Sequence, residues 1–356
     1  MTGAHAPSDH RTPSFVRPER LRPGDTVAAV CLSSGFVTQV PSRFAAGVRQ
    51  VRDTFGLNVV AAPNALRGPE FLYEHPEARA DDLHWALTNP DVRGVFSVIG
   101  GDDSVRLLPY LDLALIGAHP KVFMGFSDTT VTLLAFLRAG VAAFYGPALL
   151  TDLAENGGVR PFVARAVRRA LFDAEPFALE ASPDVSEEST DWGDAALQEV
   201  PRTFVPSRGW SWLQGERRAE GHLVGGCMEV LDMLVGTPGW PEPDLWNGAV
   251  LCLETSEDVP PPAQVGYWLR NYGAQGLLGR LSGLMFARPR GYTPETTAAV
   301  HGWIARVLRE FGREDLPVVA GVDFGHTSPQ LVLPFGSRAE LDPARRAVRV
   351  LEPGVR

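Results

Sequence analysis

The sequence holds only three cysteines, Cys31, Cys227 and Cys252. They are too few and too scattered for a disulfide framework or a structural zinc site. No run of Lys and Arg exceeds two residues, and the net charge is −9 with a pI of about 5.4. That balance argues against a nucleic-acid partner held by a basic surface. No apolar stretch reaches membrane-spanning length, so no membrane partner is expected. Residues 1–20, MTGAHAPSDHRTPSFVRPER, lack the apolar centre of a signal peptide and are expected to form a short disordered tail on a cytoplasmic protein. The chain has no GxGxxG after its first strand, no GxxxxGK[ST], no HExxH and no CxxC. Asp102 and Asp103 are adjacent side chains in a turn, which rarely converge on an ion, and no histidine lies near them in sequence. Neither a metal nor a cofactor is expected.

What is present is a chain of 356 residues, 45% of them hydrophobic. That is enough for a large core and for two domains. Short apolar runs alternate with helical patterns. Strands are expected at 26–32, 57–61, 94–99, 121–126 and 142–145, and helices at 41–55, 76–87, 128–139 and 159–172. Continuous apolar strands separated by helices imply a parallel sheet covered on both faces. Residues 21–172 are therefore expected to form an N-terminal α/β domain on a mostly parallel sheet. Residues 173–216 lose periodicity, are rich in Asp, Glu, Ser and Pro, and carry Trp192, Trp210 and Trp212. Such a stretch is a linker or a functional loop, and the tryptophans favour the loop. Residues 217–356 form a smaller C-terminal α/β domain. Its strands are expected at 248–253, 283–286 and 317–322, its helices at 229–234, 265–272 and 293–311, and a β-ribbon at 330–333 and 338–351. Thr293 and Pro294 suit the start of the 293–311 helix.

Ligands of open α/β sheets sit beyond the carboxyl ends of strands. The polar residues there are Gly100-Gly101-Asp102-Asp103-Ser104, Ser127-Asp128, Glu254 and Asp323-Phe324-Gly325-His326. The set contains a hydroxyl, a carboxylate and an imidazole. A serine at a sharp strand-to-helix corner projects out of the sheet. The amide of the following residue, Asp128, then lies in the first turn of a helix, where an oxyanion is favoured. The Gly100-Gly101 turn brings a second amide close. A hydroxyl becomes nucleophilic beside a base such as His326, and that base needs an acceptor such as Glu254 on its other nitrogen. The plainer reading is that Ser127 or Asp128 caps the helix, Glu254 caps the next segment with help from Glu257 and Asp258, and His326 bonds locally. On the Ser127 corner alone, the cap reading is the stronger.

The chain resembles the LD-carboxypeptidase family of serine peptidases, and within it the branch of the microcin C immunity peptidases. The resemblance rests on RLRPGDTVAAV at 20–30, RADDLHWALTNPDVRGVFSVIGGDDSVRLLPYLD at 79–112 and FMGFSDTT at 123–130. It continues in GHLVGGCMEVL at 221–231, AVLCLETSED at 249–258 and FGHTSPQLVLPFGSRAELD at 324–342. It implies a Ser127-Glu254-His326 triad, oxyanion amides at Gly101 and Asp128, a nucleophile domain with a Rossmann-like sheet, a C-terminal domain bearing Glu254 and His326, a site between the two, and a homodimer. The implied activity is cleavage of an amide bond in a small peptide or an aminoacyl-nucleotide, with muropeptide LD-carboxypeptidase activity as the alternative. A non-catalytic protein that binds a nucleotide or peptide is the alternative of another class. Expected substrate contacts are Gly100, Asp102, Trp192, Trp210 and Trp212, the tryptophans by stacking on an aromatic group. The family pattern is broken at Tyr73-Glu74-His75 and at Cys227, which stands where asparagine is expected.

Overall fold

The computed structural model describes residues 13–356. In chain order the first half contains β1 (Thr26–Val30), α1 (Pro41–Phe55), β2 (Asn58–Ala61), α2 (Pro69–Glu74) and α3 (Pro76–Thr88). Then come β3 (Val92–Ser97), α4 (Leu113–Ala118), β4 (Val122–Gly125), α5 (Thr130–Arg138), β5 (Ala143–Tyr145) and α6 (Pro161–Leu171). Strands β2, β1, β3, β4 and β5 lie side by side in that order, all parallel. Their central members are buried on both faces, as the continuous apolar runs require. Helix α6 turns Phe162, Val163, Ala166, Val167, Ala170 and Leu171 inward and leaves its arginines outside.

The second half begins with four short strands, β6 (Phe177–Leu179), β7 (Asp184–Val185), β8 (Val205–Pro206) and β9 (Ser211–Gln214). It continues with β10 (Ala219–Cys227), α7 (Met228–Leu234), β11 (Val250–Glu254), α8 (Pro262–Ala274), β12 (Gly283–Ala287) and α9 (Pro294–Glu310). It closes with β13 (Val318–Val322), β14 (Leu333–Phe335), β15 (Arg338–Asp342) and β16 (Ala347–Val350). The second sheet has the order β6-β16-β15-β10-β11-β12-β13-β9. Its centre, β10 to β13, is parallel. One continuous hydrophobic core runs through both halves. No helix among the described residues is long and apolar enough to cross a membrane.

Helices α2 and α4 and the short strands β6 to β9 have no counterpart among the expected elements, and the structure departs from expectation in four further places. Part of the expected tail, 1–12, lies outside the described residues, but 13–20 is fixed to the body. The Val16 amide donates to Gly140, and residues 18–20 exchange backbone hydrogen bonds with Arg356. Strand β10 is absent from the expected elements because Gly221, Gly225 and Gly226 dilute its β-signal, yet it is the first parallel strand of the second sheet. The expected strand 330–333 contributes only its last residue. The observed strand, β14, leaves its neighbours in sequence and pairs antiparallel with β5 at the edge of the first sheet. The helix expected from Asp128 starts as a tight 3-10 turn, Ser127–Thr129, before α5, and no side chain caps it. Thr293 does cap α9, accepting from the Thr296 amide at 3.2 Å.

Candidate active site

Ser127 ends the β4 corner with φ of 60°. A side chain in that left-handed region costs energy, and such strain persists where the surroundings impose it, often at functional sites. Here they do. The Ser127 amide donates to Tyr145 Oη at 3.1 Å, and Thr130 Oγ1 donates to the Ser127 carbonyl at 2.7 Å. The turn after β3 packs directly against the corner. A Cβ on Gly100 would lie 3.0 Å from Ser127 Cβ and 3.1 Å from its Oγ, so a side chain there would crowd the corner and glycine lets the two turns meet. Asp128 is not a cap. Fully buried, it accepts at Oδ2 from Ser33 Oγ at 2.5 Å and from the Ser104 amide at 2.8 Å, and burial pushes its carboxyl above the ordinary range. It binds the turns after β1, β3 and β4 into one unit.

The other half of the site arrives from the second sheet. Glu254 is the last residue of β11, and His326 follows β13. His326 Nε2 lies 3.0 Å from Ser127 Oγ, and its Nδ1 lies 2.6 Å from Glu254 Oε2. The remaining oxygen, Glu254 Oε1, accepts from Tyr145 Oη at 2.5 Å. The Tyr145 phenol is wholly buried and held well above its usual pKa, first by burial and then by Glu254. The path Ser127 amide, Tyr145, Glu254, His326, Ser127 hydroxyl is thus a closed ring of contacts across both sheets. Burial alone would lower the pKa of His326, but the charges and hydrogen bonds of Glu254 and Glu257 outweigh it and raise it to about 10. Glu257 Oε2 sits 3.0 Å from Nε2.

A cavity of about 740 Å³ opens in front of Ser127. Gly100, Gly101, Asp102, Ser127, Trp192 and His326 line it, while Glu254 stands behind the imidazole and Asp128 beneath the corner. Residues 186–190 and Trp192 cover one side, so the expected loop does face the cavity. Trp192 is held by the Arg43 guanidinium, 4.4 Å from its ring centroid. The other two tryptophans lie elsewhere. Trp210 Nε1 donates to Asp323 Oδ2 at 2.7 Å, and Trp212 belongs to β9 on the far edge of the second sheet. Neither lines the cavity, because the antiparallel pairing of β9 with β13 carries both away from it.

Sequence reading missed Tyr145 and the polar belt around Arg202. The signal for Tyr145 was present: a tyrosine closing a short buried strand needs a partner for its hydroxyl. The belt gave no local signal. Arg202 donates to Glu155 Oε1 at 2.8 Å and to Ser328 Oγ at 2.8 Å, and the Gln330 amide donates to Asp152 at 3.1 Å. These contacts lash the 173–216 loop and the segment after His326 to the first domain. The Cys227 thiol is buried, donates to Glu229 Oε2 at 3.2 Å, and is held well above its usual pKa by burial and nearby carboxylates.

Two family models match the chain. The LD-carboxypeptidase N-terminal domain covers residues 27–146, and the C-terminal domain covers residues 220–341. A putative carboxypeptidase of Streptomyces coelicolor is 31% identical over 335 residues, 92% of this chain and 94% of its own length. The microcin C7 self-immunity protein MccF of Escherichia coli is 25% identical over 338 residues, 93% of this chain and 94% of its own. Among solved structures, an MccF-like protein of Streptococcus pneumoniae in complex with AMP superposes with a TM-score of 0.82 at 29% identity, covering 91% of this chain and 98% of that one. Matched across both domains, with near full-length relatives and the same two-domain α/β architecture, the chain belongs to the LD-carboxypeptidase family and is a serine-type carboxypeptidase.

Proposed function

We propose that Ser127, His326 and Glu254 are the catalytic triad and that the substrate is an aminoacyl- or peptidyl-nucleotide conjugate. The observation that carries the triad is the hydrogen-bonded line from Ser127 Oγ through the imidazole to Glu254, anchored at a strained corner. His326 takes the Ser127 proton as Oγ attacks the carbonyl carbon. The amides of Gly101 and Asp128 hold the oxyanion. Among the described residues, neither donates to another backbone group, which leaves both free for that role. His326 then protonates the leaving nitrogen, and water releases the acyl-enzyme. Glu254 keeps Nδ1 protonated and steadies the imidazolium.

The nucleotide reading draws support from the cavity. Its volume suits a drug-sized ligand, and Trp192 offers an aromatic wall.

The test is a paired assay of the wild-type protein and Ser127→Ala with alanyl sulfamoyl adenosine and a muropeptide tetrapeptide, products read by mass. Cleavage of the adenosine conjugate, with kcat lowered about 10³- to 10⁶-fold in Ser127→Ala, is the expected result. Near-normal turnover by Ser127→Ala sinks the triad. Release of D-alanine from the tetrapeptide alone makes the protein a muropeptide carboxypeptidase, and tight binding without cleavage makes it a binding protein.

A further inference from the structure

Glu257 puts a second anion beside the base. Its Oε2 is as close to His326 Nε2 as Ser127 Oγ is, 3.0 Å in each case. A carboxylate at that distance favours a proton on Nε2, and a protonated Nε2 cannot accept the serine proton. The resting arrangement is therefore not the reacting one. Glu257 is also free to leave. Its side chain is 60% exposed, against 6% for His326 and 1% for Glu254. Beyond His326, the cation acting on it is Arg290, whose guanidinium donates to Ser189 Oγ at 2.7 Å. The other carboxylates on this wall, Glu229 and Asp258, face the same space. Thr327, next to the imidazole and 1% exposed, lines the cavity with a hydroxyl that has no hydrogen-bond partner among the described residues.

We infer that Glu257 is a specificity-determining residue that selects substrates carrying a free ammonium on the carbon next to the scissile carbonyl. This rests on the hydrolase reading above. A carbonyl carbon poised for attack stands about 3–3.5 Å from Ser127 Oγ. An ammonium one carbon further is then within reach of the Glu257 carboxylate. It takes that carboxylate as counter-ion and draws it from Nε2. His326 gives its Nε2 proton to solvent water and is left facing Ser127 as a base. An acylated α-nitrogen carries no charge and cannot do this. The substrate thus unlocks the base by its own charge, which narrows the reading above to the aminoacyl conjugate: any acylated α-nitrogen, that of a peptidyl conjugate included, is rejected.

The experiment separates this inference from the hydrolase reading by measuring binding without turnover. Alanyl sulfamoyl adenosine and its N-acetyl form are titrated calorimetrically into Ser127→Ala and into Ser127→Ala/Glu257→Gln. The expected result is at least about tenfold tighter binding of the free amine to Ser127→Ala, with the ratio falling to near one in the double variant. Equal affinity for the two ligands, no binding of the free amine, or a preference that survives Glu257→Gln overturns the inference. Wild-type turnover of the same pair is scored apart. Cleavage of both ligands that depends on Ser127 keeps the hydrolase reading even when selection fails. Selection without any Ser127-dependent cleavage keeps Glu257 as the ammonium's partner and sinks the hydrolase reading.

Discussion

A single imidazole sits between three oxygens here, and its titration sets when the proposed base is neutral. His326 faces Glu254 and Glu257. Tyr145 lies behind Glu254, and Arg290 lies beyond Glu257. The net effect is a pKa raised to about 10, so in a protein relying on neutral His326 the basic limb of kcat/KM climbs toward that value, while loss of the substrate's own ammonium, at about 8 when free, sets the opposing limb. Glu257→Gln removes one of the two anions, and the midpoint of kcat/KM against pH should move to lower pH. An unmoved midpoint would mean that Glu257 does not act on the imidazole. The stability effect has the same sign. The folded pKa stands above the ordinary histidine value of about 6.5. The imidazolium's contribution is therefore complete below about 6.5 and is lost as the pH rises through about 10.

Elements meet at the corner through small residues. Thr130, in the first turn of α5, accepts the Cys227 amide from the end of β10 at 3.1 Å while donating to Ser127. Gly226, with φ of 146°, lies so close that a Cβ there would be 2.4 Å from Thr130 Cγ2. Gly226→Ala should therefore push β10 from α5 and cost about 1–3 kcal/mol, seen as a lower urea midpoint with an unchanged m-value. An unchanged midpoint would show that Thr130 yields without strain. The corner also shows where local reading stops. The plain expectation of a capped helix fails because the Asp128 carboxylate is consumed by Ser33 and Ser104, and the Ser127 hydroxyl by His326. None of these three partners is visible in the five residues around the turn.

At the scale of the molecule, two sheets could behave as two independent bodies. The packing argues otherwise. Residues of both halves belong to one hydrophobic core, β14 crosses back to the first sheet, and the Arg202 belt joins the loop to both domains. Calorimetry should show a single transition, with van't Hoff and calorimetric enthalpies in agreement. Two resolved transitions would mean that the domains unfold separately.

Most of the parallel strands, the longer helices, the placing of polar groups at strand ends and the sharp turn at Ser127 were legible in the sequence. Periodicity, glycine and proline are local signals, and the resemblance added the roles. What only the tertiary structure decided is which of those groups meet. Ser127 and His326 are 199 residues apart and His326 and Glu254 are 72 apart, so their contacts depend on the docking of two sheets. The same non-local pairing sent β14 to the first sheet, took Trp210 and Trp212 away from the cavity, and brought Tyr145 behind Glu254. It also set Glu257 against the imidazole. A window of sequence carries the shape of a turn, but the charge that turn will face comes from a distant strand.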